Sequence, residues 1–391
     1  MEEWKEYKLG EVYDVHNGLS KGRMFFGSGY PFLSFKTVFN NYFLPPALPD
    51  LVQSDEKEQN FYDIKRGDVF VTRTSETPEE LGMSSVALRD YPLATYNGFT
   101  KRLRPKDAST IYPEFIGYYL RSTKFRAVFY GLASSMSTRA SLSNGDLLEM
   151  RIFLPSLETQ KSIATILKCL DDKIELNRKI NSNLEEQAKA LYSKYASLAI
   201  GTARIGDLAN EVLDYTPCTY PRVYLLNSSD ISEGIFPKIE LVDKKDLKGH
   251  FKKRFRFGDI LYSQIRPRNH HYGLVLFEAD RYISSTRLMI IRTKKEQISE
   301  YLLYQAIISP CVCDEFTLKT ETRSGTFPQG NYKDMANIII PYGTKEQREK
   351  IEPKLKVLRE AIYSYQKENV ILSSIRDALL PKLMSGEIEV K

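Results

Sequence analysis

The feature that most constrains this chain is that it is written twice. Sliding the sequence by 188 residues aligns positions 158–191 with 346–379 without a gap, and eleven of the 34 pairs are identical. Shared composition alone would give roughly two or three. Apolar residues in each copy step by alternating fours and threes. The first set is Ile163, Leu167, Leu170, Ile174, Leu184 and Leu191; the second is Ile351, Leu355, Leu358, Ile362, Leu372 and Leu379. That spacing is the seam of a long helix that pairs with another helix. Asn181 and Asn369 also match within the seam, whereas Asn177 aligns with Tyr365.

The repeat continues upstream. "EMRIFLP", ending at Pro155, parallels "MANIIIP", ending at Pro341: a short apolar strand stopped by proline before each helix. "IKRGDVFVTRT" (64–74) parallels "FRFGDILYSQI" (255–265), a turn at Gly-Asp leading into a strand. "YKLGEV" (7–12) and "ARIGDL" (203–208) open the two halves. The expected organisation is a globular domain over 1–157, a helix over 158–198, a second globular domain over 199–345, and a helix with a C-terminal tail over 346–391. Within the globular domains, short strands rich in Val, Ile, Phe and Tyr alternate with turn signals. Each domain has one predicted helix near its end, over 113–130 and 299–316. The fold class is α+β: two similar globular domains separated by two long helices, related by a pseudo-two-fold repeat.

A helix of about 40 residues is about 60 Å long and has no stable existence without a partner for its stripe. Repeat symmetry makes the other helix that partner, in an antiparallel coiled coil. An amide in such a seam disfavours every register that leaves it unpaired, so Asn181 and Asn369 are expected to meet. Pro353 predicts a start or kink in the second helix, and Pro381 a break in its last turn.

Composition excludes little. A net charge of +6 permits a polyanionic partner without demanding one. Cys169, Cys218, Cys311 and Cys313 lack the spacing of a zinc site. The opening residues hold no signal-peptide core and no run of eighteen apolar residues occurs, so the chain is expected in the cytoplasm. Asp50, Asp55 and Lys57 in "PDLVQSDEK" echo a metal-dependent nuclease pattern, but in a proline-rich loop. No phosphate loop, dinucleotide loop, amino-methyltransferase Asn/Asp-Pro-Pro-Tyr/Phe motif or nucleophile–base set appears. The chain reads as a binder, with no catalytic residue, cofactor or metal of its own.

In the order of its motifs, the chain resembles the specificity subunit of type I restriction-modification systems. The resemblance runs from "WKEYKLGEV" through both Gly-Asp strands, both proline stops and the helix openings "LETQKSIATIL" and "KEQREKI" to "LLPKLMSGEIEV". It implies two target-recognition domains, each reading one half of an asymmetric, interrupted DNA site. The two helices would set the gap between the halves and dock two modification subunits, which bind S-adenosylmethionine and methylate adenine. Restriction subunits using ATP and Mg²⁺ would join the complex. The alternatives are a tandem DNA-binding or adaptor protein outside restriction, and a cryptic nuclease or methyltransferase.

Loops that interleave cations, amides and aromatics are where DNA would touch. In the first domain these give Lys21, Arg23, Arg73 and Arg139. In the second they give Lys252, Lys253, Arg254, Gln264, Arg266, Arg268, Asn269, His270 and Arg323. Gln264 holds the place that matches Arg73, and this pair of loops is the strongest candidate.

Overall fold

A computed structural model describes residues 4–75, 80–134, 140–236, 239–247, 249–321 and 329–390. The chain divides into two compact units, residues 1–173 with 372–391, and residues 174–371. Each unit holds one globular segment and part of both long helices.

The Gly-Asp pairs start the central strand of each unit. Gly67 and Gly258 have φ of +91° and +84°, a left-handed conformation open to glycine without steric cost. The turn drives the next carboxylate inward, where it accepts the backbone N–H three residues earlier. Asp68 takes Lys65 N–H at 2.7 Å and Asp259 takes Arg256 N–H at 2.8 Å. The strands that follow, Val69–Thr72 and Ile260–Ser263, are buried at every residue. Successive side chains point to opposite faces. Val69 and Val71 therefore enter one core and Phe70 another, just as Ile260 and Tyr262 separate from Leu261. A strand buried on both faces lies in a middle layer.

In the first unit the four-stranded antiparallel sheet runs Tyr13–Asn17, Thr100–Pro105, Val69–Thr72, Ser84–Val86. In the second it runs Ala209–Glu211, Leu288–Thr293, Ile260–Ser263, Tyr272–Leu274. Each unit adds a mixed sheet in which one pair is parallel: Phe26–Leu33 with Thr95–Tyr96, and Arg222–Leu226 with Tyr282–Ser285. The opening strand of each half pairs with the strand that ends in the proline stop, Lys5–Lys8 with Arg151–Leu154 and Thr202–Arg204 with Ile339–Pro341.

Two expected helices are broken. The first becomes Pro113–Tyr119 and Thr123–Ser134, because Ser122 turns its hydroxyl to accept Phe125 N–H and starts a new helix. The second becomes Glu300–Ile307 and Pro310–Glu321. Pro310 has no N–H to continue the ladder, and Ser309 takes the Ala306 carbonyl instead.

The long helices are Leu157–Leu198 and Lys345–Met384. Thr344 and Gln347 open the second with reciprocal bonds of 2.9 and 3.3 Å. Pro353 does not start the helix, which begins eight residues before it, and Pro381 does not end it, since it runs on to Met384. Both prolines are exposed.

In the first unit Ile163 and Leu167 pack in one core with Leu380, Leu383 and Met384. Arg376 Nη1 pairs with Asp171 at 2.7 Å there. In the second unit Ala188, Tyr192 and Tyr195 share a core with Ile351 and Leu355. Ile174 and Ile362 are buried, while Leu170, Leu184, Leu191, Leu358, Leu372 and Leu379 are half-buried. Both sets of contacts are antiparallel.

The seam amides meet differently from expectation. Asn177, fully buried, donates to Asn369 Oδ1 at 2.9 Å and to Glu368 Oε2 at 2.8 Å. Asn181 instead reaches the Ile362 carbonyl at 3.3 Å. Within this unit position 177 faces 369, 181 faces 362 and 185 faces 359. That register carries Asn181 about one turn past Asn369.

Candidate nucleic-acid interface

The two buried aspartates fix the entry of each central strand, at the end opposite the Arg73 and Gln264 loops. Asp68 is bound by Arg104 through two bonds of 2.7 and 2.6 Å, and Asp259 by Arg292 through two of 2.7 and 2.8 Å. Hydrogen bonds to these carboxylates hold both guanidinium groups above their ordinary pKa. Neither arginine was singled out in the sequence, although they lie 188 residues apart.

At the far end of each central strand the backbone repeats bond for bond. Arg73 N–H donates to the Phe99 carbonyl and Leu142 N–H to the Arg73 carbonyl, both at 2.8 Å. In the second unit Gln264 N–H donates to the Arg287 carbonyl at 2.9 Å and Gly330 N–H to the Gln264 carbonyl at 2.8 Å. The next residues pair as well, Thr74 with Ser141 and Ile265 with Gln329. Arg73 and Gln264 thus occupy one structural position. Phe99 and Arg287, both exposed, occupy another that sequence reading missed; the same 188-residue offset would have linked them.

Around Arg73 the chain closes tightly. A Cβ on Gly18 would lie 2.1 Å from the Asn97 carbonyl oxygen, so only glycine permits that approach. The buried Lys101 ammonium is held by Asn17 and Asn144. Burial, and then Arg73 nearby, lower its pKa. Near Gln264, the turn between Ser285 and Leu288 carries the exposed Arg287, and Thr286 N–H just before it binds the His250 carbonyl.

The other candidates divide by what already holds them. Lys21 is half-buried, its ammonium bound by Glu58 and the Gln53 carbonyl at 2.6 Å each and set over the Phe25 ring. Arg23 is exposed, next to Met24, which is 81% exposed. Lys252 is exposed, but strand alternation turns Lys253 inward. Lys253 is 3% exposed, donates to the Leu288 carbonyl at 2.9 Å and lies 3.7 Å from Glu211, so it is placed as a core cation rather than as a DNA contact. Arg254 is half-buried against the Asp280 carbonyl. Arg266 and His270 sit at φ of +47° and +54° on either side of a one-turn helix. Arg268 pairs with Glu321 at 2.7 Å, His270 contacts Glu233 at 3.3 Å, and Asn269 is exposed. Arg139 and Arg323 lie outside the described residues.

Asp55, of the nuclease-like trio, caps a helix by accepting Glu58 N–H at 2.9 Å. Among the described residues, no group of three or more His, Cys, Asp or Glu is placed to hold a metal ion. No helix among them is long and apolar enough to cross a membrane.

Residues 1–186 match the family model for the type I restriction modification DNA specificity domain. The HindI specificity subunit of Haemophilus influenzae is 32% identical over 178 residues, which is 45% of this chain and 38% of that protein. The MjaIX specificity subunit of Methanocaldococcus jannaschii is 24% identical across all of this chain and 94% of its own length. Among solved structures, the S subunit of a type I restriction-modification system from M. genitalium superposes with a TM-score of 0.62. It shares 14% identity over 98% of this chain and 96% of that one, a likeness of fold.

Proposed function

Because the chain belongs to the specificity subunits of type I restriction-modification systems, we propose that each of its globular units reads one half of an interrupted, asymmetric DNA site. The paired helices set the gap between the halves and dock two modification subunits. Catalysis resides in those partners: S-adenosylmethionine on the modification subunits, ATP and Mg²⁺ on restriction subunits, all in the cytoplasm. This chain's own residues bind, orient and discriminate.

One observation carries this reading. The two units repeat the same backbone bonds around the central strand, yet place different side chains on the same positions, Arg73 and Phe99 in one, Gln264 and Arg287 in the other. A shared scaffold with unlike tips is what two readers of unlike half-sites require. Exposed Arg23, Lys252 and Arg287 supply cations for phosphates, which position a duplex without reading it.

The test is to replace loop 264–271 in the complex assembled with its modification subunits and sequence the methylated motif. One half-site changes and the other, with the gap, stays. A change in both halves contradicts the two-reader model. DNA binding by the complex should also weaken steeply with salt; a flat salt dependence points to a ligand other than DNA.

A further inference from the structure

We infer that Arg73 and Gln264 are the equivalent base-reading residues of the two units, Arg73 recognising a guanine in one half-site and Gln264 an adenine in the other. This rests on the two-reader function proposed above and names which side chains discriminate and what they select.

Three observations converge. The first is rigidity. Direct readout needs donor and acceptor atoms held in place by a supporting shell. Both residues directly follow a strand buried at every position, and both have their own N–H and C=O bonded, to 99 and 142 or to 287 and 330. The strand entry below each is locked by a buried aspartate bound through two bonds to a half-buried arginine.

The second is availability. The Lys21 ammonium, the Arg268 guanidinium and the Lys253 ammonium are engaged by Glu58, Glu321 and the Leu288 carbonyl. The side chains of Arg73 and Gln264 are half-buried and make no hydrogen bond or ion pair with another described residue.

The third is chemistry. An arginine fork matches the O6 and N7 acceptors of guanine, and a glutamine amide matches N6 and N7 of adenine. Their neighbours differ accordingly. Phe99, 61% exposed, offers an apolar face such as a thymine methyl accepts, while Arg287 brings a cation beside the glutamine.

The experiment uses the complex with its modification subunits, carrying Arg73→Gln, Gln264→Arg or Arg73→Ala, and reads adenine methylation by sequencing. Arg73→Gln turns one guanine of one half-site into adenine. Gln264→Arg turns one adenine of the other half-site into guanine. The gap and the opposite half stay fixed. If either swap abolishes methylation, competition binding decides with alanine variants. Arg73→Ala lowers discrimination at one base pair by roughly 5- to 150-fold and leaves every other position unaltered. An unchanged motif in both swaps, or undiminished discrimination in Arg73→Ala, overturns the inference while leaving the two-reader function intact. No methylation by the unsubstituted complex would instead overturn that function.

Discussion

Asp259 shows how much can rest on one side chain. It accepts a backbone N–H from its own turn and both prongs of Arg292 while wholly buried, and Asp68 does the same with Arg104. Removing the aspartate leaves a turn N–H without its acceptor and a partly exposed arginine without its partner, at a cost of roughly 1–3 kcal/mol. Asp259→Ala should therefore destabilise the second unit by that amount, read as earlier urea unfolding and faster hydrogen exchange across Ile260–Ser263. The double variant Asp259→Leu with Arg292→Leu should recover much of the loss, since no charge is left unpaired. Equal destabilisation by the single and the double variant would contradict this role. Gly-Asp was legible in the sequence as a turn, but the reason for an aspartate was not. Its arginine lies 36 residues on in one unit and 33 in the other, on a strand whose register only sheet pairing fixes. Lys253 was misread for a related reason: in a basic run, only the strand's alternation says which cation turns inward.

At the scale of elements, period was legible and register was not. The four-three spacing located both long helices and their seam because burial follows geometry that the sequence writes directly. Which residues of two antiparallel helices face each other depends instead on where the surrounding cores seat them, and that moved Asn369 from Asn181 to Asn177. The helix continues through both prolines, since an exposed position in a helix anchored by packing tolerates a missing hydrogen bond. The register yields a comparison. Asn177→Ala strips Asn369 and Glu368 of a donor in a buried seam and should cost about 1–3 kcal/mol. Asn181→Ala removes one longer bond to a carbonyl and should cost less. Urea midpoints of the two variants decide; a larger loss for Asn181→Ala would place the register elsewhere.

For the whole molecule the repeat is the central fact. The sliding alignment exposed it in the helices, and the hydrogen-bond network carries it through the globular units, where side chains have diverged. The offset changes by three residues, from 188 at 99/287 to 191 at 73/264, so the slide that aligns the helices does not also align Arg73 with Gln264; the Gly-Asp motif does. Two readers joined by paired helices make a definite demand on DNA. The most direct measurement is adenine methylation, sequenced from cells that express the chain with its modification subunit, and again with one matched heptad added to each long helix. The account predicts a bipartite motif with unlike halves and one fixed gap. In the extended variant the same halves should stand about 10 Å, or roughly three base pairs, further apart. An uninterrupted motif, or a gap unmoved by the added heptads, would contradict it.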